Sequence, residues 1–249
     1  MTETRSIPTP DGPAIDVYLA RPDGPVRGAV IVIHEIWGLV DHIRDVADRF
    51  AALGYLAAAP DILSRGGIEP SIGAELFAIM NSDDEEARVA AQPRMRDAIT
   101  EARAPEYAGW AVGALTGVVD LVATEPGVDG RIGVIGFCFG GTFAFLLAAA
   151  DPRVRAALPF YGSAPGAEQL GRITAPVLAL YGQHDPSLIE ALPAVEQTAR
   201  EAGVALETVV YPDAAHAFFN DEGRRYHAAS AADAWARVQA FLDAHLDAG

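Results

Sequence analysis

The only cysteine of the chain lies in a glycine-rich run that suits nucleophilic catalysis. Cys138 is at the centre of the run GFCFGG at 136–141, which directly follows a strand-like stretch at 132–135 and opens an apolar, helix-like stretch at 140–150. A strand that turns at once into a helix holds the residue between them in a strained conformation, with its side chain above the sheet. The flanking glycines let the strand and the helix cross closely.

A thiol at this turn gains chemically from the helix that follows it. The positive end of the helix dipole lowers the pKa of the Cys138 thiol and favours the thiolate. The backbone N–H of Phe139 points to where an oxyanion would form. We therefore predict that Cys138 is a nucleophile. The alternative, a buried structural cysteine, does not explain why a strand, a glycine turn and an apolar helix occur together.

Two later residues have the types and the chain order that would activate this thiol. Asp185 follows a strand-like stretch at 177–181, and His216 follows another at 206–211. Where such a strand–turn–helix nucleophile occurs in an α/β sheet, the catalytic residues follow the chain order nucleophile, acid, histidine. We predict that His216 accepts the thiol proton and that Asp185 holds the imidazole in the required tautomer.

Other candidate acids and bases have simpler explanations. Asp213 is too close to His216 in sequence to orient it and reads as a turn residue, and His184 is expected to make a local hydrogen bond. Three further histidines lie on predicted helices and are expected to be solvated: His42, His227 and His245.

A third motif, HEIWG at 34–38, follows the apolar stretch 29–33. Ligands bind at the carboxyl ends of the strands in an open parallel sheet. We therefore expect the N–H of Ile36 to be a second oxyanion donor beside that of Phe139. Glu35 could pair with the thiol, or form a salt bridge with a nearby arginine.

The rest of the chain alternates between short apolar stretches and amphipathic ones, which predicts an α/β class fold with a mostly parallel central sheet and helices on both faces. The predicted strands are 29–33, 56–59, 132–135, 156–160, 177–181 and 206–211, with an N-terminal edge strand at 16–19. The predicted helices include 107–123, 140–150, 187–202 and 228–246. We expect one domain over 1–249.

The stretch 62–106 interrupts this alternation, because it has no strand pattern and contains both acidic and arginine-rich parts. A connection this long is usually functional or mobile. We interpret it as a partly helical excursion over one end of the sheet. It either borders a substrate pocket or is a solvated helix with surface ion pairs, and its charges favour the second.

Composition excludes several classes of function. The net charge of −16 argues against binding to nucleic acid or to an anionic membrane. All 18 basic residues are arginine, so Schiff-base and pyridoxal-phosphate lysines are excluded. One cysteine and scattered histidines give no metal-binding spacing, and we expect no metal and no cofactor. We expect no signal peptide or membrane span, and a cytoplasmic protein.

These motifs together resemble those of the dienelactone hydrolases (carboxymethylenebutenolidases), which are cysteine enzymes of the α/β-hydrolase fold. The resemblance covers nearly the whole chain, and it rests on the runs at 34–38, 60–63, 136–141 and 215–218 and on Asp185. It implies hydrolysis of a small lactone or ester. The alternatives are a general carboxylesterase or thioesterase, and a non-catalytic redox sensor that uses its reactive thiol.

The resemblance also implies roles for single residues. Glu35 would help to activate Cys138 when substrate binds, so that the resting thiol stays neutral. Cys138 would then attack the carbonyl carbon, and the N–H groups of Ile36 and Phe139 would hold the oxyanion. His216 would protonate the leaving group and then assist the attack of water on the thioester.

This chain differs from the family pattern at a position that binds the carboxylate of the substrate. Family members that act on dienelactone carry an arginine four residues after the catalytic histidine, where this chain has Asn220. A second family arginine corresponds to Arg88, Arg94 or Arg96. We take Arg94, with Trp37 and Asn220, as the predicted substrate-binding residues; Trp37 could instead be a core residue.

Overall fold

The apolar stretch Ala29–Ile33 forms a strand that is buried along its whole length, as expected inside a parallel sheet. The computed structural model describes residues 1–246, without the side chains at positions 103 and 105. The strands in this part of the chain are β1 Thr2–Thr9, β2 Gly12–Ala20, β3 Ala29–Ile33, β4 Leu56–Pro60, β5 Ile132–Phe137, β6 Val154–Phe160, β7 Val177–His184 and β8 Leu206–Ala215. These eight strands form one sheet in the order β1-β2-β4-β3-β5-β6-β7-β8.

The helices that follow the strands cover both faces of this sheet. They are α1 Asp41–Ala52, α2 Pro70–Asn81, α3 Glu85–Ala98, α4 Pro105–Ala123, α5 Phe139–Ala150, α6 Ala167–Leu170, α7 Pro186–Ala202 and α8 Ala228–Leu246. Alternate residues of β3 point to opposite faces, so that Ile31 packs with α4 and α5 whereas Val30 packs with α1 and α8. The prediction of an α/β fold with a mostly parallel sheet is confirmed.

Strands β4, β3, β5, β6, β7 and β8 are parallel to one another. The N-terminal pair β1 and β2 is antiparallel and continues the sheet beyond β4. The prediction of 16–19 as the edge strand is wrong, because β1 lies outside it. Only Ile7 of β1 is buried, so this strand carries no regular apolar alternation that would reveal it.

The excursion at 62–106 is helical, as predicted, and contains α2 and α3 between two short 3₁₀ turns, Ser64–Gly66 and Glu101–Arg103. Within residues 1–246, no helix is both long and apolar enough to cross a membrane. The expected single domain extends to 249 and stays a prediction, since 247–249 lie outside the described residues.

Candidate active site

The turn between β5 and α5 has the strained geometry expected of a nucleophile elbow. Cys138 adopts φ 54° and ψ −111°, a conformation that L-residues rarely adopt. A Cβ atom at Gly136 would lie 2.0 Å from the carbonyl oxygen of Gly140. At Gly140 it would lie 2.2 Å from the carbonyl oxygen of Ile33 in the neighbouring strand. These glycines therefore allow the start of α5 to approach both β5 and β3.

Asp185 and His216 come together because their strands are neighbours. The last paired residues of β7 and β8 are His184 and Ala215, and the two candidate side chains come immediately after them. His216 donates from Nδ1 to the Oδ2 atom of Asp185 over 2.5 Å. This bond leaves Nε2 of His216 free for acid–base chemistry in the cavity that it lines with Cys138.

The thiol of Cys138 is held in the neutral form. Burial and the nearby carboxylate of Glu35 raise its pKa to about 12, against the opposing effect of the N–H groups of Phe139 and Ile36. The helix dipole by itself favours the thiolate, but this contribution is outweighed, and the neutral thiol agrees with the resting state that the resemblance implies. Loss of solvent around the sulfur destabilises the thiolate more than the N-terminus of α5 stabilises it.

The same interactions locate two backbone N–H groups near the thiol. The N–H groups of Ile36 and Phe139 both interact with the sulfur of Cys138, one from the turn that follows β3 and one from the first turn of α5. Their place beside the sulfur is compatible with the expectation that they are oxyanion donors.

Glu35 is almost completely buried, with 3% of its surface exposed. Burial raises the pKa of its carboxyl group to about 7, although two hydrogen bonds oppose the shift. Asn220 donates from Nδ2 to Oε2 over 2.7 Å, and Tyr161 donates its hydroxyl to Oε1 over 3.3 Å. These neutral donors occupy the place of the arginine salt bridge considered from the sequence.

The candidate site opens into a cavity of about 660 Å³. Glu35, Cys138 and His216 line its floor, and Trp37 and Asn220 also contribute to its wall. Helices α2 and α3 supply much of the opposite side, so the excursion borders the cavity. Three arginines line it, namely Arg88, Arg224 and Arg225.

Comparison with known proteins identifies the family. The sequence model of the dienelactone hydrolase family matches residues 15–246. The chain belongs to this family. A Saccharolobus solfataricus protein provisionally named a carboxymethylenebutenolidase is 36% identical over 93% of this chain and 95% of its own length. An Escherichia coli K12 protein with the same provisional name is 36% identical over 94% of this chain and 83% of its own.

A solved structure agrees with this assignment. The structure of a provisionally named dienelactone hydrolase from Klebsiella pneumoniae superimposes with a TM-score of 0.80 at 33% identity, and the match covers 97% of this chain and 98% of the other. The resemblance inferred from the motifs is thus confirmed. As a member of the dienelactone hydrolase family, the protein is a carboxylic ester hydrolase that acts on a small molecule.

The structure distinguishes which of the candidate substrate-binding arginines faces the cavity. Arg88 lines the cavity. Arg94 forms a two-pronged ion pair with Glu75 on the outer surface of the helical excursion, and its side chain is 48% exposed. The choice of Arg94 for substrate binding is therefore not supported by its position. Arg224 and Arg225, which lie beyond Asn220 in the loop before α8, reach the cavity instead.

The sequence analysis gave no role to one residue near this dienelactone hydrolase site, Tyr161, and expected the wrong environment for another, His42. Tyr161, at φ 37°, directly follows β6, and its ring centroid lies 5.1 Å from that of His216. Its place at the carboxyl end of a parallel strand was the available signal. His42 is buried, not solvated as expected, since its ring packs edge-on against Phe137. Its Nδ1 donates to Asp221 over 3.1 Å.

Metal chemistry has no visible support in the described residues. Among residues 1–246, no group of three or more His, Cys, Asp or Glu side chains is arranged to hold a metal ion.

Proposed function

We propose that the protein hydrolyses a small lactone or ester through a thioester on Cys138, with Glu35 and His216 as the proton-transfer groups and Asp185 as the residue that orients His216. The observation that carries this proposal is the convergence of a thiol, two backbone N–H donors and two proton-transfer groups at the floor of one cavity. This combination matches the requirements of acyl transfer through a covalent intermediate.

The reaction begins with the neutral thiol. Ionised Glu35 accepts the proton of Cys138, and the sulfur forms a bond to the substrate carbonyl carbon. The carbonyl oxygen becomes an oxyanion, held by the N–H groups of Ile36 and Phe139. His216 enters the reaction as the imidazolium beside Asp185. Collapse of the intermediate breaks the C–O bond, and His216 gives its proton to the leaving alkoxide and becomes neutral.

Hydrolysis of the thioester returns every group to its starting state. His216 accepts a proton from water, and the resulting hydroxide attacks the thioester carbon. The carbon–sulfur bond breaks, the product leaves as a carboxylic acid, and Cys138 recovers its proton from Glu35. Asp185 stabilises the imidazolium of His216 in each step where it forms.

The lining of the cavity supports a substrate that carries negative charge. Arg88, Arg224 and Arg225 outnumber the two carboxyl groups that line the cavity, Glu35 and Glu85, and so favour a locally positive region within an acidic protein. Trp37 and Phe77, with ring centroids 5.6 Å apart, provide an apolar surface beside it. We propose a small ester or lactone with a carboxylate as the substrate. A general carboxylesterase would instead accept neutral esters equally well.

The decisive experiment is burst kinetics with p-nitrophenyl acetate, followed by mass spectrometry of the acid-quenched protein. We expect wild type to release a burst of nitrophenolate and to carry an acetyl group on Cys138. Cys138→Ala should keep the far-ultraviolet circular dichroism of wild type and lose at least roughly a thousandfold in turnover. Unchanged turnover in Cys138→Ala would refute the proposed nucleophile.

The redox-sensor alternative predicts a different pattern. It requires that wild type hydrolyse neither charged nor neutral esters or lactones, and that Cys138 form a reversible sulfenic acid at low peroxide concentration. The raised pKa of the Cys138 thiol argues against this, because oxidation proceeds through the thiolate.

A further inference from the structure

His34 lies beneath the candidate oxyanion site and has no assigned role. Its side chain is fully buried, at 0% exposure. Nδ1 donates to the carbonyl oxygen of Glu35 over 2.7 Å, and Nε2 accepts from the backbone N–H of Ile62 over 3.2 Å. Because one ring nitrogen donates and the other accepts, the imidazole is neutral and its tautomer is defined.

The carbonyl that His34 holds belongs to the same peptide unit as the N–H of Ile36. In a planar trans peptide the C=O and the N–H point in opposite directions. The carbonyl of Glu35 accepts from His34 and, over 3.1 Å, from the backbone N–H of Gly38. These bonds on one side of the peptide fix the direction of the Ile36 N–H on the other side, and the bond from His34 is the shorter one. That N–H interacts with the sulfur of Cys138.

We propose that His34 is a positioning residue for the oxyanion hole, which orients and polarises the peptide unit between Glu35 and Ile36. A donor at the carbonyl oxygen strengthens the hydrogen bond that the N–H of the same peptide makes. This inference rests on the proposed acyl-transfer function, because only an oxyanion on the substrate makes the direction of this N–H matter.

Contacts on the other side of His34 keep its ring in place. Ile62 is itself held, since its carbonyl oxygen accepts from the hydroxyl of Tyr107 over 2.6 Å. The imidazole also stacks on the ring of Phe139, with centroids 6.0 Å apart and planes 2° from parallel. Phe139 supplies the second oxyanion donor. One buried ring thus touches the residues that carry both donors.

Burial supports the neutral form that this arrangement needs. It lowers the pKa of His34 below the ordinary histidine value, against the opposing charge of Asp61. A protonated ring would lose the acceptor for the N–H of Ile62.

The test uses two amide substitutions, each of which keeps one of the two hydrogen bonds that the imidazole makes. The amide nitrogen of asparagine can take the place of Nδ1, so His34→Asn keeps a donor for the carbonyl of Glu35. The amide oxygen of glutamine can take the place of Nε2, so His34→Gln keeps an acceptor for Ile62 but loses the donor to Glu35. Both variants lose the stacked ring, and each serves as the structural control for the other.

Two reactions of Cys138 separate the oxyanion hole from general damage to the site. Addition of the thiol to a trifluoromethyl ketone creates an oxyanion, whereas alkylation by iodoacetamide does not. We expect His34→Gln to lower kcat for ester hydrolysis roughly ten- to a hundredfold with little change in KM, which is less than the loss of a whole donor. We expect it to weaken trifluoromethyl ketone binding by a similar factor.

The proposal requires that His34→Gln lose much less in its rate of alkylation by iodoacetamide than in ketone binding, because the Ile36 N–H is the smallest of the effects on the pKa of the Cys138 thiol. It also requires that His34→Asn retain more turnover than His34→Gln. Equal losses of turnover in both variants, or parallel losses in alkylation and ketone binding, would overturn it. If wild type hydrolyses no ester, the proposed function fails, but ketone binding still tests the oxyanion hole in the absence of turnover.

Discussion

Glu35 and Cys138 form a pair of weak acids that share one buried volume. Each is better tolerated there in its neutral form, since burial raises the pKa of both groups and the charge of Glu35 raises that of the thiol further. Attack on a substrate carbonyl would change this balance, because it would move the negative charge from sulfur to an oxygen within reach of the N–H groups of Ile36 and Phe139. The pair is therefore suited to a thiol that becomes nucleophilic only within the proposed reaction.

The raised pKa of Glu35 predicts a pH-dependent stability that Glu35→Gln should remove. A carboxyl with pKa about 7 in the folded state and 4.5 in the unfolded state stabilises the fold below 4.5, and this stabilisation is lost as pH rises through 7. At about 1.4 kcal/mol per pH unit the loss amounts to about 3 kcal/mol.

The measurement is urea unfolding of wild type and Glu35→Gln at pH 5 and pH 8. The stability of the variant relative to wild type should rise by up to about 3 kcal/mol between these pH values. Any constant penalty for placing the glutamine amide against Asn220 cancels in this comparison. A difference that does not change with pH would mean that Glu35 is ionised at its ordinary pKa.

The arginines of α3 provide a matched test of substrate charge. Arg88→Gln removes a cation from the cavity, whereas Arg94→Gln removes one from the outer surface. Arg88→Gln should raise KM for a carboxylate-bearing ester about three- to thirtyfold and leave KM for a neutral ester of similar size unchanged. Steady-state kinetics with both esters checks this, and Arg94→Gln should match wild type. Equal effects of the two substitutions would exclude a specific role for Arg88.

At the scale of elements, backbone packing positions the site. Neighbouring strands bring Asp185 and His216 together, and crowded glycines bring α5 against two strands. Helix α2 approaches the oxyanion loop in the same way, because a Cβ atom at Gly73 would lie 1.7 Å from the carbonyl oxygen of Trp37. The cavity wall and the turn that carries Ile36 are thus packed backbone to backbone.

Gly73→Ala should therefore destabilise the protein, although alanine normally favours a helix. We expect a loss of about 1–3 kcal/mol and a fall in kcat, because α2 and the turn at Trp37 must move apart. Gly109→Ala is the control, since that exposed position in α4 has no atom within 4 Å of an added Cβ. It should stabilise by about 0.5–1 kcal/mol. Thermal unfolding and ester turnover of both variants test this, and a stabilised Gly73→Ala would contradict the packing.

At the scale of the whole molecule, the net charge is unfavourable for the proposed anionic substrate, whereas three arginines line the cavity. The net charge is −16, so an anion meets repulsion at long range and the arginines only when it is close. This excess of acidic groups also strains the folded state, because like charges lie closer together there than in the unfolded chain.

Moderate salt should therefore stabilise the protein. Raising NaCl from 10 to 200 mM shortens the screening length from about 30 Å to below about 10 Å and weakens the net repulsion. We expect the urea midpoint at pH 8 to rise with unchanged slope. A falling midpoint would show that surface ion pairs, which salt also screens, outweigh the excess of negative charge.

The sequence by itself determined the features that consecutive residues encode. The run at 136–141 predicted the elbow because a strand, a strained turn and a helix follow one another there, and chain order pointed to Asp185 and His216. Strand 29–33 and helix 228–246 were predicted with the boundaries that the structure has, because their apolar patterns are uninterrupted. Local periodicity needs no knowledge of distant partners.

Only the tertiary structure decided what surrounds these groups. The partners of Glu35, Tyr161 and Asn220, lie 126 and 185 positions away from it along the chain. The choice between Arg88 and Arg94 depends on which face of α3 is turned toward the cavity. The neutral state of the Cys138 thiol follows from burial, which reverses the effect expected from the helix dipole. Burial is a collective property of the packed chain, so no local pattern of residues encodes it.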